Sequence, residues 1–126
     1  MSATPSYADG SFRLDVEPER DIVRVCPRGE VDLATAATIR EEIEELTAMG
    51  FARVALDLRG VTFLDSTGLR LSLELTMAAR AEGWEFALIE GPADVQRVFE
   101  VAGVRPLVLF IEPSQIRYAR WEATWR

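Results

Sequence analysis

The chain has 126 residues, of which 48% are hydrophobic, and this length and composition suit one globular domain with a sizeable core. It contains 21 acidic and 14 basic residues, and the formal net charge of −7 disfavours nucleic acid and anionic membranes as partners. There is no histidine and only one cysteine, Cys26, which excludes a disulfide framework, the common zinc sites and a Ser-His-Asp triad.

The first ten residues are mostly small or polar and include Pro5 and Gly10, which predicts a flexible arm over residues 1–10. This segment lacks the basic and apolar regions of a secretory signal. No apolar run in the sequence approaches the length of about 18 residues that a membrane-spanning helix needs. We therefore expect a cytoplasmic protein with a single domain over residues 11–126 and no membrane partner.

Two strands are predicted next, because Phe12–Val16 alternates apolar and polar residues and Ile22–Cys26 is mostly apolar. The turn-like residues Pro18–Asp21 between them favour a hairpin. Pro27 has no amide hydrogen to donate, so the second strand is expected to end there or to lie at a sheet edge. Cys26 is expected to be a small buried side chain.

A first helix is predicted from near Ala34 to Met49, where apolar residues recur at helical spacing and Gly50 is a suitable C-cap. Its outer face carries a solvated row of acidic residues, Glu41, Glu42, Glu44 and Glu45. Val54–Leu58 is nearly all apolar, as expected for a central strand that is covered on both faces.

The rest of the chain continues to alternate between predicted strands and predicted helices. Gly60–Leu64 is expected to cross to a second helix, and Pro92 is expected in the first turn of a third. Strands and helices in alternation predict an α/β fold with one mixed, mainly parallel sheet of about four or five strands and about four packed helices. The remaining predicted elements are a helix over residues 66–82, a strand over Trp84–Ile89, a helix that ends at Gly103, a strand over Leu107–Ile111 and a helix over residues 114–126.

The stretch Asp65–Leu69, D-S-T-G-L, places a carboxylate and two hydroxyls where the second helix begins. These side chains cap helices because their oxygens accept hydrogen bonds from the free amides of the first turn. The same amides and the positive end of the helix dipole also stabilise a phosphate. The hydroxyl of Ser66 or Thr67 is therefore either a structural cap or a phosphorylation switch, and the local pattern leaves both open.

Arg70 follows Ser66 by four residues, which puts both side chains on one face of the predicted helix. A guanidinium at this spacing is able to pair with a phosphate on Ser66. The alternatives are a pair with Asp65, a pair with Glu74, or no partner.

Three stretches of the sequence resemble the STAS domain, in particular the bacterial anti-sigma factor antagonists. Gly29–Asp32, G-E-V-D, is similar to the signature before the family's first helix. Leu56–Leu69, which includes D-S-T-G-L, is similar to the central motif, and Pro92–Phe99 with Gly103 is similar to the third helix and its end. The resemblance covers residues 12–111 and implies a STAS-like fold.

The resemblance also implies a switch protein that is not an enzyme and has no cofactor or metal. Its unphosphorylated form would bind an anti-sigma factor that is also an ATP-using serine kinase, and this binding would free a sigma factor for transcription. The kinase would phosphorylate Ser66, with Thr67 as the secondary candidate, and a serine phosphatase would reverse the reaction. The residues expected at the partner-binding surface are Asp32, Asp65, Ser66, Thr67, Gly68 and Arg70.

A second interpretation makes the chain a STAS scaffold subunit of a stress-sensing complex or a transport system, with Ser66 only a cap. A small-molecule or nucleotide sensor has less support, because there is no glycine-rich phosphate loop. Two residues depart from the family pattern: Arg70 replaces a small residue, and Pro27 replaces an aliphatic one. The aromatic tail Tyr118–Arg126 is either a packed final helix or a contact surface, and homodimerisation stays open.

Overall fold

In the computed structural model, which describes residues 12–118 and 120–121, a six-stranded sheet carries α-helices on one face. The strands are β1 Phe12–Glu19, β2 Ile22–Val31, β3 Arg53–Asp57, β4 Val61–Leu64, β5 Glu85–Ile89 and β6 Phe110–Ile111. The helices are α1 Leu33–Ala48, α2 Ser66–Glu82 and α3 Ala93–Val101. The predicted mixed α/β fold is confirmed, with one strand more than expected and three α-helices within these residues. The predicted arm over residues 1–10 lies outside them.

The sheet has the order β1-β2-β3-β5-β6, and β4 also pairs with β2. Among the pairs that these six described strands form, only the β1–β2 hairpin is antiparallel. β2 pairs with β3 as far as Val25 and with β4 from Gly29, so Pro27 lies between the two parallel ladders. The missing amide hydrogen costs neither parallel ladder a bond, and Pro27 stays in register with Leu14 of β1, inside the sheet. The expectation that the second strand ends at Pro27 or lies at a sheet edge is therefore wrong.

The main core lies between the sheet and the helices. In β1, β3 and β5 alternate residues point to this side, such as Val54 and Leu56 of β3, and helix residues such as Ile39, Leu71 and Phe99 pack on them. Every residue of β3 is buried, as predicted for a central strand that is covered on both faces.

The opposite face of the sheet has an apolar half, which the C-terminal segment covers. Trp121 is only 6% exposed and packs with the buried residues Ala55, Ala87, Ile89 and Ile111. Its ring lies 4.4 Å from the guanidinium carbon of Arg53. The segment contains a 3₁₀ turn, Pro113–Gln115, so the predicted helix over 114–126 is wrong where the chain is described; residues 119 and 122–126 lie outside.

The other half of this face is charged and is organised around Asp57, whose side chain is 6% exposed. It accepts hydrogen bonds from Arg59 Nη2 at 2.7 Å and from Arg24 Nη1 at 3.1 Å. Burial acts to raise the pKa of Asp57, but the hydrogen bonds from Arg59 and the charges of both arginines outweigh it and lower the pKa. Burial raises the pKa of the neighbouring Cys26 to about 12, which makes that thiol unreactive.

Three local predictions are corrected. The stretch expected to cross to α2 contains β4, and the final strand is limited to Phe110–Ile111 because the preceding residues form a 3₁₀ turn, Arg105–Leu107. Pro92 is the N-cap of α3 and lies before its first turn. Within the described ranges, no helix is both long enough and apolar enough to cross a membrane.

Candidate functional site

Two helix N-termini lie side by side at the carboxyl edge of the sheet. Val31 at the end of β2 pairs with Leu64 at the end of β4, and each is followed by an aspartate that caps a helix. The amide of Asp65 also donates to the carbonyl of Val31 at 3.3 Å. Since neighbouring strands are about 4.8 Å apart, Asp32 and Asp65 are brought together, and with them two of the three sequence motifs.

Asp65 is the residue that caps α2. Its Oδ1 accepts from the amide of Thr67 at 2.8 Å and from the amide of Gly68 at 3.4 Å. Ser66 is therefore the first residue of the helix and Thr67 the second. The sequence left two roles open for these hydroxyls, capping or phosphorylation. Because the Asp65 carboxylate performs the capping, neither hydroxyl is needed as the cap.

Ser66 is exposed, and across the described part of the chain its Oγ makes no hydrogen bond. Thr67 beside it is only partly exposed. An exposed hydroxyl with no partner in the fold is open to an approaching enzyme, and its modification breaks no existing bond. Of the two hydroxyls, that of Ser66 is therefore the more accessible to an approaching enzyme.

Asp32 caps α1 in the same manner. Its Oδ1 accepts from the amide of Thr35 at 3.1 Å, while the hydroxyl of Thr35 accepts from the amide of Asp32 at 2.9 Å. The bonds from the Thr35 amide and then from its hydroxyl hold the pKa of Asp32 below its ordinary value. Asp32 therefore presents a fixed, ionised carboxylate next to the start of α2.

Gly68 lets α2 begin directly against β4. A Cβ on this residue would lie 2.6 Å from Cγ of Leu64, closer than carbon atoms pack. The glycine of the D-S-T-G-L stretch is thus required by packing, and it is buried. Its place in the site is to position the first turn, which carries Ser66 and Thr67.

Arg70 is exposed and, among residues 12–118 and 120–121, makes neither an ion pair nor a hydrogen bond. The acid one turn further along α2, Glu74, forms an ion pair with Arg40 of α1. Of the alternatives that the sequence left open for Arg70, a pair with Asp65 and a pair with Glu74 are both absent here. A free guanidinium consequently lies four residues after the free hydroxyl of Ser66.

Two exposed apolar side chains near this edge were not identified from the sequence. Leu33, directly after the Asp32 cap, is 76% exposed, and Phe63, two residues before the Asp65 cap, is 50% exposed. A large apolar residue next to each cap is the signal that would have drawn attention to them. Exposed apolar groups close to polar and charged ones are typical of protein-binding surfaces.

The sequence is similar to known proteins over most of the described residues. A family model described as "Mlab, STAS domain" matches residues 12–109. The putative anti-sigma factor antagonist BtrV of Bordetella bronchiseptica is 33% identical over 92 residues, which is 73% of this chain and 79% of that protein. The anti-sigma-B factor antagonist of Bacillus subtilis is 24% identical over 98 residues, 78% of this chain and 89% of that protein.

Solved structures show the same fold. The anti-sigma factor antagonist SpoIIAA in its unphosphorylated form superposes with a TM-score of 0.66 at 23% identity, over 83% of this chain and 91% of that one. The phosphorylated form of SpoIIAA, from Bacillus, gives a TM-score of 0.61 at 22% identity, over 83% of this chain and 95% of that one.

Proposed function

Because this chain belongs to the STAS domain family, we propose that it is an anti-sigma factor antagonist controlled by phosphorylation. Its unphosphorylated form binds an anti-sigma factor that is also a serine kinase, and this releases a sigma factor. The observation that supports the switch is the exposed Ser66 hydroxyl, which makes no hydrogen bond within the described residues, while Asp65 caps the helix. The relatives that carry the name of anti-sigma factor antagonist support the choice of partner.

In this proposal the chain is a substrate of the kinase and performs no catalysis itself. Oγ of Ser66 attacks the γ-phosphorus of ATP, its proton passes to a base on the kinase, and ADP leaves. A serine phosphatase transfers the phosphoryl group to water and restores the hydroxyl. Both enzymes reach Ser66 at the surface, at the start of α2.

The phosphate ends binding through local electrostatics. It adds about 1.5–2 negative charges next to the carboxylates of Asp32 and Asp65, in a chain whose formal net charge is already −7. Repulsion and incomplete pairing in a desolvated interface readily cost about 2–3 kcal/mol, which lowers affinity roughly a hundredfold. The helix N-terminus tolerates the dianion, so the domain stays folded.

The partner surface in this proposal combines polar and apolar contacts. Leu33 and Phe63, the exposed apolar residues next to the two caps, supply contacts that exclude water when the kinase docks. Asp32, Asp65 and Arg70 supply charged contacts around Ser66. A phosphate added here would sit within the contact area.

The test uses purified protein, candidate kinases and ATP. Mass spectrometry should place a single phosphate on Ser66, and the Ser66→Ala variant should gain none. In titrations with the kinase, Ser66→Ala should bind like the wild type, and Ser66→Asp should bind at least tenfold more weakly.

A control tests whether the position of the added negative charge matters, or whether a negative charge anywhere on the surface has the same effect. Ala52 is exposed and precedes β3, at the opposite edge of the sheet from Ser66. Ala52→Asp adds the same charge and should leave kinase binding unchanged. Equal binding by the wild type, Ser66→Ala and Ser66→Asp would contradict the switch and favour the STAS scaffold, in which Ser66 has no regulatory role.

A further inference from the structure

The free guanidinium of Arg70 lies on α2 one turn after Ser66. We propose that Arg70 binds the phosphate of phosphorylated Ser66 within the same helix and so holds the modified form in one arrangement. The inference rests on the proposed function only in that it needs a phosphate on Ser66. It adds Arg70 as a defined intramolecular partner for that phosphate.

The helix geometry brings the two groups together. Residues four apart lie on one helical face, with about 5–6 Å between their Cβ atoms. Side chains of a helix lean toward its N-terminus, so a side chain as long as that of Arg70 is able to reach back to the turn that carries Ser66. A guanidinium also offers two parallel N–H donors that match two oxygens of a phosphate.

Within the described residues, neither the Ser66 hydroxyl nor the Arg70 guanidinium has a hydrogen-bond or ion-pair partner. Glu74 would be the natural competitor for Arg70, since it is the acid four residues further along α2. It pairs instead with Arg40 of the neighbouring helix α1. The other nearby carboxylate, that of Asp65, accepts from the amides of Thr67 and Gly68.

Pairing changes two features of the surface at once. Phosphorylation adds a dianion at Ser66 and also removes Arg70 as an available cation. A partner with an acidic group opposite Arg70 then loses an attractive contact as well as meeting the phosphate. The pairing also keeps the phosphate close to the helix N-terminus, where the dipole favours it.

The experiment incorporates phosphoserine at position 66 during translation, so that no kinase is needed. Phosphorus NMR then follows the second ionisation of the phosphate as pH is changed. A nearby guanidinium favours the dianion and lowers its pKa, so Arg70→Gln should raise the phosphate pKa by about 0.3–1 unit. Arg70→Lys, which keeps the charge but not the paired donors, should give an intermediate value.

Arg80 provides the matched control, because it is exposed on the same helix and lies about 21 Å from Ser66 at the helical rise per residue. Arg80→Gln removes the same charge and should leave the phosphate pKa unchanged. An unchanged pKa in Arg70→Gln, or an equal change in Arg80→Gln, would overturn the pairing.

Kinase binding by the same samples separates this inference from the proposed function. If the phosphate weakens binding in every variant and its pKa is the same with and without Arg70, the pairing is wrong and the switch stands. If the pKa depends on Arg70 but phosphorylated and unphosphorylated proteins bind equally, the pairing stands and the switch is wrong.

Discussion

The amide of Asp65 donates to the carbonyl of Val31 at 3.3 Å, and this bond joins the start of α2 to the end of β2. It places the second aspartate cap next to the first, that of Asp32, although 33 positions of sequence separate them. The position of Ser66 is therefore fixed by the sheet as well as by its own helix. A site assembled from two strand ends is held more rigidly than one on a loop.

Substitution of Asp65 should separate its capping role from its charge. Asp65→Ala removes the acceptor for the Thr67 and Gly68 amides and should lower the free energy of unfolding by about 1 kcal/mol. Asp65→Asn keeps a capping oxygen and should stay close to the wild type in urea unfolding. Equal losses in both variants would mean that the charge, rather than the cap, provides the stability.

Gly68→Ala should destabilise the protein even though alanine is the better helix former. The new methyl group would meet Cγ of Leu64 at 2.6 Å, and moving α2 away from β4 should cost about 1–3 kcal/mol. Denaturant unfolding measures the loss. In the double variant Gly68→Ala with Leu64→Ala, the effects should be non-additive because the clash is removed; strict additivity would contradict this explanation.

The bounds of α2 could be predicted from sequence because its signals are local. An aspartate stands before the first residue, apolar residues recur at helical spacing, and Gly83 ends the helix with a φ of 82°. β4 was missed because it has four residues and pairs with residues 29–31, far away in sequence. Whether such a short strand forms depends on the strand beside it. The tolerance of Pro27 in β2 likewise depends on where the neighbouring strands pair with β2.

The candidate site could be predicted only in outline, because the residue types are a local signal but the contacts between them are not. Aspartate, serine and threonine all cap helices, so the residue types alone leave the capping atom undetermined. The answer depends on the backbone at Asp65, which remains extended while Ser66 is already helical. The free state of Arg70 depends on Arg40, a residue of another helix that engages Glu74.

The buried carboxylate of Asp57 should make stability sensitive to acid. Its pKa in the folded protein is lowered from about 3.8, so the folded state releases this proton more readily than the unfolded state. The contribution is complete above pH 4 and is lost as pH falls through the folded pKa. Asp57→Asn should cost about 1–3 kcal/mol at pH 7, because the bonds from Arg59 and Arg24 weaken.

Urea unfolding of the wild type and Asp57→Asn at several pH values checks this expectation. The difference between the two proteins should shrink steadily below about pH 4, the range in which the wild-type carboxylate takes up its proton. Asp21→Asn serves as the control, because Asp21 is an exposed acid in the turn before β2. A difference that stays constant down to pH 2 would show that the Asp57 charge is not responsible.

Trp121 should be a major contributor to stability although it lies near the end of the chain. Its indole covers the apolar half of the sheet face opposite the helices, lies 4.4 Å from the guanidinium of Arg53, and donates to the carbonyl of Ile116 at 3.1 Å. Trp121→Ala should therefore lower the free energy of unfolding by about 3–5 kcal/mol.

Tyr118, which is 55% exposed, offers the comparison within the same segment. Tyr118→Ala should change stability by no more than about 0.5 kcal/mol. Trp121→Ala protein that remains folded should still bind the kinase, because Trp121 lies on the opposite face of the sheet from the helices, one of which begins at Ser66. Loss of binding without loss of stability would instead make the C-terminal segment part of the partner surface.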